Sequence, residues 1–226
     1  MQIPRFTAPP HFYNELKARV NEYFEETKQA PTGNWRLFSK SLVIVSLHVL
    51  FYTILVFFTP PGWYALIFCV LLGFSTAAIG FNIMHDGSHG SFSENKVLNR
   101  IAAFSLNVLG GNDYMWNVKH CVVHHSFTNV AGVDDDIEIA FMRMCESQPL
   151  RPWHRFQAIY FVVLYSLLYL FWLFVFDFKK YFVGKVGMMP IPKMKISQHI
   201  GFWSSKIGCY FSSLRYQFIW SESSSF

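Results

Sequence analysis

Charged residues are scarce in this 226-residue chain: they make up 15% of it, against 52% hydrophobic and 19% aromatic residues. This balance is more apolar than that of an ordinary soluble domain. The net charge of +5 also lacks the pattern of a nucleic-acid-binding protein, because the lysines form no stripe interleaved with base-stacking aromatics. They flank apolar stretches instead. We therefore expect an integral membrane protein and no nucleic-acid partner.

Cysteine is sparse as well. The four cysteines lie far apart in the sequence and show no paired spacing: Cys69, Cys121, Cys145 and Cys209. Such a distribution supports neither a zinc knuckle nor a disulfide framework. No secretory signal peptide is visible at the start of the chain. A reducing environment that faces the cytosol fits these observations best.

Three uncharged apolar runs cover residues 41–58, 63–84 and 158–176. Each is close to the roughly 20 residues that a helix needs to cross the hydrocarbon core of a bilayer. The first two are joined by Thr59-Pro60-Pro61-Gly62, which is typical of a tight turn and predicts a helical hairpin. Arg36 and Lys40 precede the hairpin, and the positive-inside rule places its two ends in the cytosol. The expected fold class is an all-α membrane protein, in which a transmembrane helical hairpin is followed by a cytosolic helical cap.

The segments around these runs are less regular. Residues 1–40 are expected to form an N-terminal cytosolic or interfacial segment, with an amphipathic helix indicated by apolar residues at four-residue spacing from Phe12 to Phe24. The run at 158–176 precedes five lysines, which would end up outside if it crossed the bilayer. We therefore expect that run to lie in the membrane plane or to pack against the cap. Residues 201–226 are interpreted as a divergent or truncated tail, because a charge at the bilayer centre costs about 2.5–3.5 kcal/mol and disfavours a further span.

Five of the nine histidines fall in two clusters that follow the hairpin: His85, His89, His120, His124 and His125. On an α-helix, residues four apart share a face, and His125 is turned by about 100° toward a neighbouring site. No run between the clusters is long and apolar enough to cross a membrane, so both clusters lie on one side. Imidazole is a preferred ligand for iron, copper, zinc and nickel. The pattern predicts a transition-metal centre at the membrane surface, whereas an isolated histidine such as His48 is expected to be packed or hydrogen-bonded.

The order of hairpin, His-x-x-x-His and His-x-x-x-His-His resembles the membrane fatty acid desaturases. Thr128-Asn129 and the sequence Gly132-Val-Asp134-Asp135-Asp136-Ile add to the resemblance, which covers roughly residues 33–200 and is strongest to the acyl-CoA (linoleoyl-CoA, front-end) branch. It implies two irons held by neutral imidazoles, dioxygen as co-substrate, and the removal of two hydrogens from an acyl chain. The five clustered histidines would be the iron ligands. The implied partners are an acyl-CoA or acyl-lipid substrate and a separate electron donor of ferredoxin or cytochrome type, because the chain has no His-Pro-Gly-Gly haem signature.

Polar and aromatic neighbours of the histidines are further candidates. Four aspartates would orient the imidazoles by accepting their N–H groups: Asp86, Asp134, Asp135 and Asp136. The alternative is that these aspartates form a solvated acidic turn or a helix cap. Trp116 and Asn117 would line the acyl entrance, although a tryptophan at a membrane interface needs no such role.

Two departures from the family pattern bear on activity. Cys121 stands where the family usually has asparagine, which would change a hydrogen bond near the centre without removing a ligand. The third histidine box of the family is missing, because only Gln198-His199 occurs in the last fifty residues. Five imidazoles are too few to fill two irons in the family's manner, so we expect an incomplete form. Three interpretations remain open: a desaturase, a related di-iron hydroxylase or ketolase, and a non-catalytic membrane fragment.

Overall fold

The computed structural model describes residues 10–58, 60–139 and 141–223, with side chains up to residue 211. Helices dominate this part of the chain, and its only strands are Lys185–Val186 and Met189–Pro190, which pair antiparallel. Three helices are long and apolar enough to cross a membrane: Trp35–Phe58, Gly62–Ser88 and Pro152–Val183. The expected all-α membrane protein is confirmed.

The first helix, α1 (His11–Thr27), forms where the apolar spacing predicted it. None of its residues is buried, and Phe12 is 80% exposed. Most of its apolar side chains therefore stay uncovered by the rest of the described chain. Its interfacial location remains a prediction.

Helices α2 (Trp35–Phe58) and α3 (Gly62–Ser88) form the hairpin. Asn34 starts α2, because its side-chain oxygen accepts hydrogen bonds from the first free N–H groups of the helix. Two polar contacts join the two helices. Lys40 Nζ donates to Asn82 Oδ1 at 2.9 Å, and His48 Nδ1 lies 3.0 Å from Ser75 Oγ. His48 is thus a hydrogen-bonded histidine, as expected.

Helix α4 (Lys96–Val108) packs against the end of α3, and Gly87 makes this close packing possible. A Cβ atom on Gly87 would lie 2.6 Å from Ala102 Cβ, 2.6 Å from Ala103 N and 2.7 Å from the carbonyl oxygen of Asn99. Only a residue without a side chain fits there. Asn99 closes the connection between the helices through hydrogen bonds from its amide to the carbonyls of Gly90 and Ser93.

Helix α5 runs from Asp113 to Trp116 as an α-helix and continues as the π-helical segment Asn117–His124. Asn112 caps its start by accepting the N–H of Met115 at 3.0 Å. The apolar side of α5 packs into a small core whose buried members are Val118, Val123, Val133 and Val186. This core includes a residue of the short β-hairpin, and it leaves the opposite side of α5 facing the end of α3.

Helix α6 (Pro152–Val183) contains the third apolar run and a π-helical segment, Trp172–Phe176. At 32 residues it is long enough to cross a membrane, while its later turns also contact the cap. The hydroxyl of Tyr169 donates to the carbonyl of Leu109, and the ring of Trp172 packs against Trp116. The expected packing of this run against the cap is therefore present, and the in-plane orientation remains a prediction.

Helix α7 (Ile196–Ser223) packs against α4. Phe202 and Lys206 on this helix have no exposed surface. Among the described residues, α7 does not qualify as a candidate membrane span. The buried side chains of Phe202 and Lys206 therefore belong to the folded cap. The interpretation of residues 201–226 as a divergent or truncated tail remains a prediction.

Candidate metal centre

Both histidine clusters lie next to or within helical segments that are wound more widely than an α-helix. In α3, a π-helical turn covers Gly80–Met84, and the N–H of His85 bonds the carbonyl of Gly80. In α5, the second cluster lies on Asn117–His124, and the N–H of His125 bonds the carbonyl of His120. Such turns are rare and occur frequently at functional sites.

The wide winding bears on where the imidazole of His125 lies. In α-helical geometry this residue would point about 100° away from His124, toward a neighbouring site. In a π-helix each backbone N–H bonds the carbonyl five residues earlier. His124 and His125, which follow His120 by four and five positions, therefore lie on either side of His120 one turn further along the helix. The ring of His125 accordingly lies 4.8 Å from the ring of His120, measured between centroids.

The structure brings all five clustered imidazoles together. Across the two helices, the ring centroids of His85 and His120 are 5.2 Å apart, and their Nε2 atoms approach to 3.2 Å. The ring of His89 lies 4.6 Å from that of His85 and 4.6 Å from that of His125. His124 stacks on His120 at 5.1 Å. Residues 35 positions apart thus converge on one region.

Asp134 holds the imidazole of His124 from behind. Its carboxylate is fully buried, and both of its oxygens lie 3.0 Å from His124 Nδ1. It also accepts the backbone N–H groups of Asn129 at 2.8 Å and Asp136 at 3.0 Å. Because a carboxylate accepts hydrogen bonds, Nδ1 of His124 carries the proton, which leaves the lone pair of Nε2 free to bind a metal.

Asp136 supports two of the imidazoles. One of its oxygens lies 3.3 Å from Nδ1 of both His120 and His124, and the other forms an ion pair with Lys119. Burial alone would raise the pKa of Asp136, but the hydrogen bond with His120 and the charge of Lys119 hold that pKa well below its usual range. Asp136 is therefore an anion that faces the cluster.

The other two candidate aspartates are not hydrogen-bonded to an imidazole. Asp135 forms an ion pair with Lys180 at 3.0 Å and so points toward α6. The carboxylate of Asp86 lies 3.6 Å from His85 Nδ1, which is beyond hydrogen-bond distance. Asp135 thus links the acidic turn to α6, and its expected support of an imidazole remains a prediction.

Trp116 and Asn117 occupy different environments. The ring of Trp116 stacks on His120 with a centroid distance of 4.4 Å and an interplanar angle of 20°. Its indole N–H is buried and has no hydrogen-bond partner among the described residues. Asn117 is exposed. Trp116 therefore contacts the histidine cluster directly, and nothing in the sequence indicated this contact.

The electrostatic environment favours the neutral form of two of the imidazoles, those of His89 and His125. Burial lowers the pKa of His89 below its ordinary value, and the neighbouring imidazoles of His85 and His125 lower it further. The pKa of His125 is lowered in the same way, first by burial and then by its histidine neighbours. Neutral imidazole is the form that binds metal ions.

The residues present fit a transition-metal ion. Two groups bring three potential ligand atoms within 4.8 Å of one another: His85, His89 and His120, and His120, His124 and Asp136. Two imidazole nitrogens that bind one ion at about 2.1 Å lie roughly 3 Å apart, as do Nε2 of His85 and His120. Because His120 belongs to both groups, it is the central residue of the cluster.

His154 and His199 take no part in the cluster. His154 Nδ1 accepts the backbone N–H of Arg151 at 3.1 Å, and His199 Nδ1 lies 2.8 Å from the hydroxyl of Tyr181. Cys121, between two of the clustered histidines, donates to the carbonyl of Ser88 at 3.8 Å. Burial raises the pKa of this thiol, which keeps it protonated as a donor.

Comparisons with known proteins identify relatives of this chain. The family model described as fatty acid desaturase matches residues 61–203. The chain is 35% identical over 199 residues to an acyl-lipid (8-3)-desaturase of Physcomitrium patens, which covers 87% of this chain and 42% of that protein. It is 34% identical over 162 residues to an sn-1 linoleoyl-lipid 6-desaturase of Arthrospira platensis, which covers 71% of this chain and 44% of that protein. The chain thus spans about two fifths of the length of these relatives. No solved structure matches.

Proposed function

We propose, because this chain belongs to the fatty acid desaturase family, that it forms the metal-binding part of an enzyme that introduces a double bond into an acyl chain. The observation that carries the proposal is the convergence of five imidazoles, with carboxylates behind two of them. The relatives described above are named as desaturases. That naming favours desaturation over the related hydroxylase or ketolase chemistry.

The proposed metal ligands are the five clustered histidines: His85, His89, His120, His124 and His125. They would hold two irons, which in this family supply the activation of dioxygen and the removal of two hydrogens from the substrate. The protein residues around them have separate tasks. Asp134 holds Nδ1 of His124, and Asp136 holds Nδ1 of His120. Each carboxylate thereby directs Nε2 of its imidazole into the cluster. Trp116 covers one face of His120 and keeps water from it.

We propose a lipid-bound acyl chain as the substrate. The support is the names of the two relatives, which are acyl-lipid and linoleoyl-lipid desaturases. The exposed apolar side chains of α2, α3 and α6 are suited to contact with lipid. The sequence left the substrate open between acyl-CoA and acyl-lipid, although the resemblance was strongest to the acyl-CoA branch, and the names of the relatives favour the lipid.

The electron donor is proposed to be a separate protein of ferredoxin or cytochrome type, and the histidine side of the hairpin is proposed to face the cytosol. The positions of Arg36 and Lys40 beside the first span support this orientation. We further propose that residues 1–226 alone are catalytically incomplete. Five imidazoles leave two irons with fewer nitrogen ligands than the family's three boxes would supply.

Metal analysis of the purified chain tests the core of this proposal. The membrane protein would be purified in detergent after expression in iron-supplemented medium, and its iron would be measured by mass spectrometry. We expect bound iron in the parent chain and its loss in His124→Ala. His199→Ala is the matched control, because His199 lies outside the cluster and bonds Tyr181. Equal iron in the parent and in His124→Ala would contradict the proposal.

A further inference from the structure

A buried ion pair lies outside the histidine cluster. The ammonium of Lys206 on α7 lies 2.7 Å from a carboxylate oxygen of Asp177 on α6, and it donates to the carbonyl of Gly110 at 2.8 Å. Lys206 has no exposed surface and Asp177 is 2% exposed. The rings of Phe178 and Phe202 lie within 5.7 Å of the ammonium. The pair thus connects α6, α7 and the turn before α5 in one contact.

Stability alone is a weak reason for such a pair. Removing two charges from water is costly, and buried ion pairs in other proteins have been replaced by apolar residues without loss of stability. The second oxygen of Asp177 indicates another role, because it accepts the indole N–H of Trp172 at 2.9 Å. The carboxylate therefore fixes the position of a tryptophan while it neutralises Lys206.

Trp172 connects the ion pair to the metal centre. Its ring lies 5.3 Å from the ring of Trp116, with an interplanar angle of 31°. Trp116 in turn stacks on His120 at 4.4 Å. A side chain packed over its ring face has less freedom to rotate, so this stack keeps His120 Nδ1 near Asp136 and Nε2 near His85.

We infer that the Lys206–Asp177 pair is a positioning element of the metal centre, acting through Trp172 and Trp116 on the imidazole of His120. The inference rests on the proposed function, in which His120 is a metal ligand. It assigns a role to two charged residues that are far from the histidine boxes in sequence. It also gives α7, the last helix described, a part in the geometry of a centre formed by α3 and α5, because α7 carries Lys206.

Two variants separate positioning from folding. Trp172→Phe keeps an aromatic ring against Trp116 but removes the N–H that bonds Asp177. The double variant Asp177→Leu/Lys206→Met replaces the ion pair with apolar side chains, which avoids an unpaired buried charge. The control is Ser75→Ala, which removes a hydrogen bond to His48 inside the hairpin, ten residues and about 15 Å along α3 from His85.

Two measurements are made on each variant of the full chain in detergent. The first is titration with Co²⁺, followed by the visible absorption that reports ligand geometry. The second is ¹⁹F NMR of protein that contains 5-fluorotryptophan, with the Trp116 resonance assigned by its loss in Trp116→Phe. The second readout reports the environment of Trp116 without any metal.

We expect both test variants to shift the Trp116 resonance and to bind Co²⁺ about 10–100-fold more weakly, as supporting residues of metal ligands do. Ser75→Ala should change neither. An unchanged Trp116 resonance in both test variants would overturn the inference, as would Co²⁺ affinity and absorption equal to those of the parent. If the parent bound no Co²⁺, the proposed function would fail, and the Trp116 resonance would still decide whether the ion pair positions the stack.

Discussion

Asp134 has no exposed surface, and its oxygens accept hydrogen bonds from His124 and from the backbone N–H groups of Asn129 and Asp136. Asp134→Asn keeps the size of the side chain but turns one acceptor oxygen into an NH₂ donor that faces other donors. We expect a loss of about 1–3 kcal/mol in the free energy of unfolding and a 10–100-fold weaker metal affinity.

Chemical denaturation and a metal titration check this prediction. Asp135→Asn is the matched control, because Asp135 pairs with Lys180 on a partly exposed surface and contacts no imidazole. If metal affinity fell equally in the two variants, the charge of the acidic turn would matter, and not the hydrogen bond that His124 donates to Asp134.

The sequence identified the histidines better than their supporting residues. Spacing alone singled out five imidazoles, because clustered histidines are uncommon and have a well-known chemistry. It could not rank three consecutive aspartates, since the conformation of the turn decides which carboxylate faces inward. Asp134 and Asp136 face the cluster and Asp135 faces Lys180. Trp172 was missed because its contact with Trp116 joins residues 56 positions apart.

At the scale of the elements, the packing of α3 on α4 sets the position of the first histidine box. Gly87→Ala would place a Cβ atom 2.6 Å from Ala102 Cβ and 2.7 Å from the carbonyl of Asn99. The two helices would have to move apart, at a cost of about 1–3 kcal/mol, and His85 and His89 would shift relative to α5. We expect weaker metal binding together with lower thermal stability.

Gly73→Ala provides the control for this substitution. It lies on the same helix, where a Cβ atom would meet nothing within 4 Å, and alanine is the better helix former. We expect its metal affinity to equal that of the parent and its thermal stability to be unchanged or slightly higher. If Gly87→Ala behaved in the same way, close packing of α4 would not determine the geometry of the centre.

Membrane helices were predicted from the sequence because their signal is the length of an uncharged apolar run. The spans at 41–58 and 63–84 lie inside α2 and α3, and the run at 158–176 lies inside α6. The π-helical segments were not predicted. A short π-helical segment leaves no clear periodicity of apolar residues in the sequence. Whether such a segment forms depends on its contacts with other elements.

At the scale of the whole molecule, the orientation in the membrane is open to a direct test. In a background without the four native cysteines, Trp63→Cys marks the turn of the hairpin and Glu94→Cys marks the histidine side. Trp63 is 81% exposed, and Glu94 is also exposed. If the positive-inside rule holds, a membrane-impermeant thiol reagent should label the turn in intact cells, and the histidine side only after permeabilisation. The reverse labelling pattern would overturn the cytosolic orientation.

The last prediction concerns catalysis, which depends on the number of ligands that the whole molecule provides. We expect residues 1–226, expressed in a host with a compatible electron donor, to form no new unsaturated fatty acid. A fusion with the third-box segment of a complete desaturase should form one, because the added imidazoles complete the ligand set. Gas chromatography of the cellular fatty acids makes the measurement. The product of the fusion should disappear on His124→Ala and persist in His199→Ala, whose ring bonds Tyr181 outside the cluster. A product formed by residues 1–226 alone, and abolished by His124→Ala, would show that two boxes are sufficient.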